Sequence, residues 1–229
     1  MRKRSKRYRR AFDKLERGKL YELSEAVALI KSFDSPKFDE TVEIALKLGV
    51  DPRKGDQVVR GSVSLPKGIG KEVRVAVFAE GEKADAAREA GADVVGSEDL
   101  AKKVSDGFLD FDVAIAAPDM MKHVGKLGRV LGPQGKMPSP KAGTVTDDVA
   151  TAVREFKAGK IEFRVDAGAN LHAPMGRKSF TAEDLAENVQ AFLDHVKALR
   201  PSSAKGVFMQ RATISASMSP GVPLAISAK

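Results

Sequence analysis

The stretch "VRVAVFAEGEKADAAREAGADVVG", residues 73–96, joins two short apolar runs through a segment of helical character. Its first run, residues 73–79, is mostly apolar, whereas residues 81–92 mix alanines with charged side chains. The same order repeats at once, with a charged segment at 97–107 and an apolar run at 112–118. Apolar runs that alternate with helical segments are typical of βαβ units and a parallel sheet. The middle of the chain is therefore predicted to form a Rossmann-like layered domain.

One further helix closes this predicted domain. In "TDDVATAVREFKAG", residues 146–159, Thr146 stands at the N-cap position, and Asp147 and Asp148 follow in the first turn. A threonine oxygen can accept a free N–H group at a helix start, and acidic residues there interact favourably with the helix dipole. The segment is predicted to begin its helix at Thr146.

The two flanks of this region follow a different pattern. In "FDETVEIALKLGV", residues 38–50, apolar and polar side chains alternate, which predicts a strand with one face on a core and one in solvent. Three more strands are predicted at 57–65, 160–166 and 206–218, and two helices at 23–33 and 181–199. The longer helix has Thr181 as its predicted N-cap. The flanks therefore predict an α+β sheet-and-helix arrangement.

The succession of patterns predicts an α/β protein of two domains. Glycine and proline interrupt both patterns at "LPKGIG", residues 65–70, and at "KAGK", residues 157–160. We expect an inserted Rossmann-like domain at 67–159, and a discontinuous domain built from residues 1–66 and 160–229.

The charge of the chain indicates a polyanionic partner. The sequence has a net charge of +8, and seven of its first ten residues are basic. Residues 67–159 carry a net charge of −1, so the two flanks together carry +9. A basic region of this kind is typical of nucleic-acid binding. The N-terminal run is read either as an arm that contacts phosphates or as solubilising or targeting charge.

Several function classes are disfavoured by composition. The chain has no cysteine and three scattered histidines, so disulfides and a zinc site are not expected. Its apolar runs are far shorter than the roughly 20 residues of a membrane-spanning helix. No apolar segment follows the basic N terminus, which argues against a signal peptide. We expect a soluble protein without a metal or a cofactor.

The stretch "GRVLGPQGKMPSPKAGTV", residues 128–145, resembles a phosphate-binding loop only superficially. A P-loop would need glycine at position 130 and serine or threonine at 137, where the chain has Val130 and Met137. A dinucleotide fingerprint at 68–73 fails likewise, because Val73 replaces its third glycine. The chain is predicted not to be an enzyme, and a Rossmann-like nucleotide-dependent enzyme remains the alternative hypothesis.

Long ungapped motifs resemble the ribosomal protein L-one family, most closely its bacterial branch. They are "KFDETVEIALKLGVDPRKGDQVVRGSVSLP", "GKLGRVLGPQGKMPSPKAGTV" and "GKIEFRVD". The resemblance implies a basic domain built from both chain ends and a Rossmann-like domain inserted across two hinge strands. It also implies a cytoplasmic, ribosome-bound protein with no obligate protein oligomer.

The resemblance implies three RNA partners. The first is a bent junction of large-subunit ribosomal RNA, on which the family forms a mobile stalk. The second is deacylated tRNA, whose release at the exit site that stalk assists. The third is the messenger of the protein's own operon, which the bacterial family represses. For residues 128–145 the resemblance leaves two roles open, a structural turn or an auxiliary RNA contact.

Three sets of residues match the RNA-binding positions of the family. The first comprises Lys37, Phe38, Thr41 and Glu43. The second comprises Lys160, Glu162, Arg164, Asp166, His172 and Ser179. The third comprises Ser217, Met218 and Ser219.

Each set suits RNA chemically, although packing roles remain possible for two members. Lys37 can reach a phosphate, Phe38 offers a face to a base or ribose, and Thr41 and Glu43 can bond 2′-hydroxyls. Phe38 could instead be a core residue, and the role of His172 is open between packing and RNA contact.

The second and third sets carry more detailed expectations. The even-numbered polar residues from 160 to 166 are expected on one strand face, with Arg164 contacting RNA and Glu162 or Asp166 orienting it. Ser219 replaces a family glycine, and its Cβ is expected to hinder close approach of the backbone to RNA.

Overall fold

The computed structural model describes residues 4–226, and Met1–Lys3 of the predicted basic arm lie outside the described residues. The chain divides into two compact units. One contains the residues up to Gly70 together with those from Phe163 onward, and the other is Lys71–Glu162. By sequence, Lys71–Glu162 has a net charge of −2, so the remainder of the chain carries +10.

The first unit is built around a four-stranded antiparallel sheet. Its strands are β1 (Thr41–Leu48), β7 (Asn170–Arg177), β8 (Met209–Ala216) and β9 (Val222–Leu224), in the order β7-β1-β8-β9. The strand β7 was absent from the sequence prediction, because Pro174 and Gly176 interrupt its β pattern. It forms nonetheless through pairing with β1, and the register shifts between Val42 and Glu43 to accommodate it.

Three helices belong to this unit: α1 (Lys6–Asp13), α2 (Leu23–Lys31) and α8 (Ala182–Ala198). Thr181 caps α8 as predicted, since its hydroxyl oxygen accepts the N–H of Asp184 at 3.1 Å. Helices α2 and α8 contact each other and one face of the sheet. The core between them includes Ile30, Ile44, Leu46, Leu171, Met175, Val189, Phe192 and Ile214. Burial of these apolar side chains is what drives the flanks of the chain together.

Two shorter strands, β2 (Arg60–Ser64) and β6 (Lys160–Arg164), form a two-stranded sheet. Just beyond β6, the N–H of Val165 donates to the carbonyl of Val59 at 3.0 Å. Near β2, the buried Asn188 of α8 bonds the segment that follows: its Oδ1 accepts the N–H of Lys67, and its Nδ2 donates to the carbonyl of Gly68. These bonds satisfy an amide that would otherwise be costly to bury.

The second unit contains the predicted βαβ succession. A parallel sheet of β3 (Val75–Phe78), β4 (Val94–Gly96) and β5 (Val113–Ala116) has the order β4-β3-β5. Its helices are α3 (Glu82–Glu89), α4 (Glu98–Ser105), α5 (Met121–Val124), α6 (Gly128–Leu131) and α7 (Val149–Ala158). The mixed α/β fold class is thereby confirmed.

The start of α7 corrects one prediction. The N-cap is Asp148, whose carboxylate accepts the N–H of Thr151 at 3.1 Å, and not Thr146. The hydroxyl oxygen of Thr146 accepts the N–H of Asp148 instead. An aspartate and a threonine are both good caps, so the tertiary course of the chain decided between them.

Residues 128–145 form hydrogen bonds with other parts of their own unit. The ammonium of Lys136 donates to the carbonyls of Leu109 and Phe111, at 3.0 and 2.6 Å. The carbonyl of Thr144 accepts the N–H of Ala116 at 2.9 Å, which ties the stretch to β5. The basic side chain of Lys136 is therefore used structurally.

Candidate nucleic-acid interface

One face of the four-stranded sheet is polar and accessible. Alternate residues of β1 point away from the helices, as do their register partners on β7 and β8. We call this surface the outer face; it consists of Thr41, Glu43, Ala45, Lys47, Asn170, His172, Pro174, Arg177, Arg211, Thr213 and Ser215, all exposed or half-buried. A sheet face of this kind offers hydroxyl, amide and basic groups to a broad ligand.

Two of the predicted sets meet at one end of the outer face. The N–H of Ser217 donates to the carbonyl of Thr41 at 3.0 Å, and the N–H of Thr41 donates to the Ser217 hydroxyl oxygen at 3.2 Å. Residues separated by 176 positions in the sequence thus lie side by side. We call the turn after β8, residues 217–219, the tip. The start of β1 and the tip form one continuous edge at this end of the outer face.

A second pair of segments strengthens the same edge. The Ser179 hydroxyl donates to Asp39 Oδ2 at 2.7 Å, and the Ser179 N–H donates to Asp39 Oδ1 at 3.1 Å. The guanidinium of Arg177 donates to the Thr41 hydroxyl oxygen at 3.0 Å. These contacts place Ser179 against the segment that carries the first set, and they fix the guanidinium of Arg177 on Thr41 while the residue stays half-buried.

Two large apolar side chains stand out on this edge. Phe38 is 54% exposed and Met218 is 52% exposed. A core residue is not exposed to this extent, so Phe38 does not pack in the core. Apolar and aromatic faces among polar groups suit stacking on bases and riboses.

Beneath the edge lies a buried ion pair. Glu40 is 1% exposed, and its Oε2 lies 3.4 Å from the ammonium of Lys178, which is 8% exposed. The other carboxylate oxygen, Oε1, accepts the N–H of Met218 at 2.9 Å. The ammonium of Lys178 also donates to the carbonyl of Phe33 at 2.6 Å.

Ser219 uses its hydroxyl within the tip. Its Oγ accepts the N–H of Ala216 at 2.9 Å and lies 3.1 Å from the carbonyl of Pro220. The Ser219 N–H donates to the carbonyl of Ala216 at 3.0 Å. The serine therefore closes its own turn, a role that its replacement of a family glycine did not suggest.

The second predicted set is dispersed. Lys160 lies in the other unit, where its side chain is 15% exposed and its ammonium bonds Glu155 at 2.6 Å. Glu162 also belongs to that unit, and Arg164 is exposed at the end of β6. His172 is exposed on the outer face, so it is not a packed histidine.

Residues 160, 162, 164 and 166 are exposed or half-buried and alternate with buried residues as expected, but Asp166 has another role than the one expected. It lies beyond β6, and its Oδ1 accepts the N–H groups of Gly168 and Asn170 at 2.8 and 2.7 Å. Its Oδ2 accepts from the Asn170 side chain at 3.1 Å. The bond from Asn170 is the main cause that lowers the pKa of Asp166 below its ordinary value. Asp166 therefore closes the turn before β7 and does not orient Arg164.

Basic residues also occupy the opposite end of the outer face, which sequence reasoning missed. Lys47 pairs in register with Arg211 and with Asn170. Beyond them a cleft of about 860 Å³ opens; we call it the lysine cleft, lined among others by Lys47, Lys54, Gln57, Lys205 and Gln210. The signal available in the sequence was the alternation of β1, which already put Lys47 on the face of Thr41.

No group of three histidine or acidic side chains within residues 4–226 is placed to hold a metal ion. Within the same range no helix is both long and apolar enough to cross a membrane.

Comparison with known proteins identifies the family. A model described as "Ribosomal protein L1p/L10e family" matches residues 30–220. The chain belongs to this family. The resemblance inferred from its motifs is confirmed, and the prediction that it is not an enzyme agrees with membership of a ribosomal protein family.

Curated members of the L1p/L10e family match over almost their full length. A "Large ribosomal subunit protein uL1" of Cutibacterium acnes is 59% identical over 222 residues, 97% of this chain and 96% of the relative. Proteins of the same name from Bifidobacterium adolescentis and Thermobifida fusca are 57% and 55% identical, covering 96% and 97% of this chain and 96% and 94% of the relatives.

Proposed function

We propose that this chain is a structural protein of the large ribosomal subunit that binds ribosomal RNA through the outer face and the tip. It would act in the cytoplasm as part of the ribosome. The name that the relatives share supports the assignment to the subunit. The surface supports the assignment to RNA, because it combines hydroxyls, basic groups and exposed apolar side chains.

One observation carries the proposal. Phe38 and Met218, the two exposed apolar residues of the site, lie on an edge where Thr41 and Ser217 hold the chain by reciprocal hydrogen bonds. Two exposed apolar side chains on a polar edge leave apolar surface in contact with water in the free protein, which is unfavourable. Contact with riboses and bases in the shallow groove of RNA recovers that cost.

Binding to a bent junction of large-subunit ribosomal RNA tests this function. The dissociation constant of the full chain for that junction is expected to be well below its value for a hairpin of equal length. A nucleotide-binding assay on the same sample tests the alternative hypothesis, a nucleotide-dependent enzyme. Equal affinity for junction and hairpin, or tight binding of a free nucleotide, would count against the proposal.

For the family's further roles, we propose that the RNA-bound protein forms a mobile stalk beside the tRNA exit site and assists release of deacylated tRNA. We propose also that the same surface binds a similar fold in the messenger of its own operon. The ribosomal RNA and the messenger would need the same shape, because both would bind the same surface, the outer face. A translation reporter that carries the operon leader should be repressed by the protein and relieved by added ribosomal RNA junction.

A further inference from the structure

Glu40 is the most deeply buried acidic residue among those described, although its neighbours Asp39 and Thr41 face the proposed RNA surface. Taking a carboxylate out of water costs several kcal/mol unless its partners compensate. The partners of its two carboxylate oxygens lie in the same unit, and they connect the start of β1, the end of β7 and the tip.

The two oxygens of Glu40 have separate tasks. Oε2 faces the ammonium of Lys178 at 3.4 Å, and this ammonium is anchored on the carbonyl of Phe33 at 2.6 Å. Oε1 accepts the N–H of Met218 at 2.9 Å. Lys178 thus holds the carboxylate in place, and the carboxylate holds the backbone of Met218.

A contribution to stability alone does not account for this arrangement. Apolar residues of similar volume commonly stabilise a core as well as a buried ion pair does. What an apolar pair cannot supply is an acceptor for the Met218 N–H. Met218 is 52% exposed and so has little packing to hold it, which leaves its position dependent on its backbone.

We propose that Glu40 is a positioning residue for RNA recognition, which fixes the Met218 side chain on the tip for contact with RNA. The inference rests on the proposed function. The three tip residues are each held by a bond of their own: Ser217 by the carbonyl of Thr41, Met218 by Glu40, and Ser219 by the carbonyl of Ala216. Removal of the middle bond frees the one residue that presents an apolar side chain.

Two double variants of the full chain isolate this bond. Glu40→Gln with Lys178→Met removes both buried charges and keeps a side-chain oxygen that can accept the Met218 N–H. Glu40→Leu with Lys178→Met removes the same charges and the acceptor. Both variants have the net charge of the wild type, and in both the Phe33 carbonyl loses its lysine donor. The two variants therefore differ in whether the side chain at position 40 can accept the Met218 N–H.

The readout is affinity for the ribosomal RNA junction and for a control hairpin. Both are measured well below the unfolding temperature of the less stable variant. The Leu variant is expected to bind the junction about three- to tenfold more weakly than the Gln variant, the worth of one hydrogen bond. Their affinities for the hairpin should be equal. Should the Leu variant not fold, Glu40→Asp, which keeps the charge but shortens the reach to Met218, takes its place against the wild type.

Equal junction affinities for the folded pair would overturn the inference and leave Glu40 a structural residue. Equal weakening on junction and hairpin would also overturn it, because a positioning residue acts on recognition. If the wild type itself fails to prefer the junction, the proposed function fails, which is a separate result from the comparison of the two variants.

Discussion

Met218 is expected to matter for RNA binding and little for folding. It is 52% exposed, and the bonds that hold the tip are made by backbone groups of residues 217–219 and by the Ser217, Ser219 and Glu40 side chains. Truncation of its side chain therefore leaves those bonds in place. What it removes is apolar area that only a bound partner can cover.

We expect Met218→Ala to weaken binding to the ribosomal RNA junction by about 1–3 kcal/mol, the scale of one buried apolar side chain. The unfolding temperature should change little. Leu20→Ala is the matched control, because Leu20 is an exposed apolar residue of the same unit and lies outside the proposed surface. Normal RNA binding with early melting would show that Met218 belongs to the core.

Ser219 allows a second prediction at this scale. Because its hydroxyl oxygen accepts the Ala216 N–H at 2.9 Å, Ser219→Gly removes a bond that closes the tip. Glycine also adds backbone freedom in the unfolded chain. We expect a small loss of stability and a weaker or unchanged affinity for the junction, by thermal unfolding and titration. A clear gain in affinity would mean instead that the Cβ of Ser219 obstructs RNA.

Among the structural elements, β1 connects two ends of one surface. Its eight residues span roughly 25 Å at the usual rise per residue, from the Thr41 end to the lysine cleft. The lysine cleft is lined by three lysines and by one acidic residue, Asp51, whose Oδ1 accepts the N–H of Arg53 at 3.1 Å. The cleft thus offers a basic surface that can contact RNA phosphates away from the tip.

Lys54→Ala with Lys205→Ala should reduce the salt dependence of junction binding by about 1.5 in logarithmic slope, because two RNA phosphates are then no longer neutralised. The preference for junction over hairpin should persist, because phosphate contacts carry no sequence information. Lys102→Ala with Lys103→Ala, two exposed residues of α4, makes the same charge change in the other unit. Equal effects of the two double variants would indicate a general charge effect.

The turn between β6 and β7 depends on the ionised form of Asp166. Because its pKa in the folded chain is below the ordinary value of 3.8, this contribution is complete above that value and is lost as pH falls through the folded pKa. The amide signals of Gly168 and Asn170 should shift in acid with a common midpoint below 3.8. Asp166→Asn should abolish the transition, and a midpoint at or above the ordinary value would contradict the assignment.

At the scale of the whole molecule, charge and surface belong to the same unit. The unit Lys71–Glu162 has a net charge of −2. The other residues of the chain, which form the unit with the outer face and the tip, have a net charge of +10. The core of that unit is formed by its own helices α2 and α8 and its own sheet. It should therefore fold and bind without the inserted unit.

Deletion of residues 71–158, with a short glycine-serine joint, should leave most of the affinity for the RNA junction. The joint keeps β6, which starts at Lys160 and pairs with β2. Circular dichroism and thermal unfolding establish that the shortened chain is folded, and the isolated fragment 71–158 is the complementary control. An equal or greater affinity of that fragment for RNA would refute the division of roles.

The sequence alone determined the elements whose pattern is local. The alternation of β1, the βαβ succession after Val73 and the Thr181 cap all depend on neighbours within a few residues, so periodicity and capping predicted them. The charge partition is likewise a property of the chain. Long motifs sufficed for the family, which the comparisons confirmed.

Only the tertiary structure decided which distant residues meet. Strand β7 forms although Pro174 and Gly176 disfavour it, and Glu40 is buried beneath the tip. Neither could be predicted locally, because each depends on a partner brought near by burial of the core between the sheet and its helices. A hydrogen bond such as that from Met218 to Glu40 spans 178 positions, and no sequence period records it.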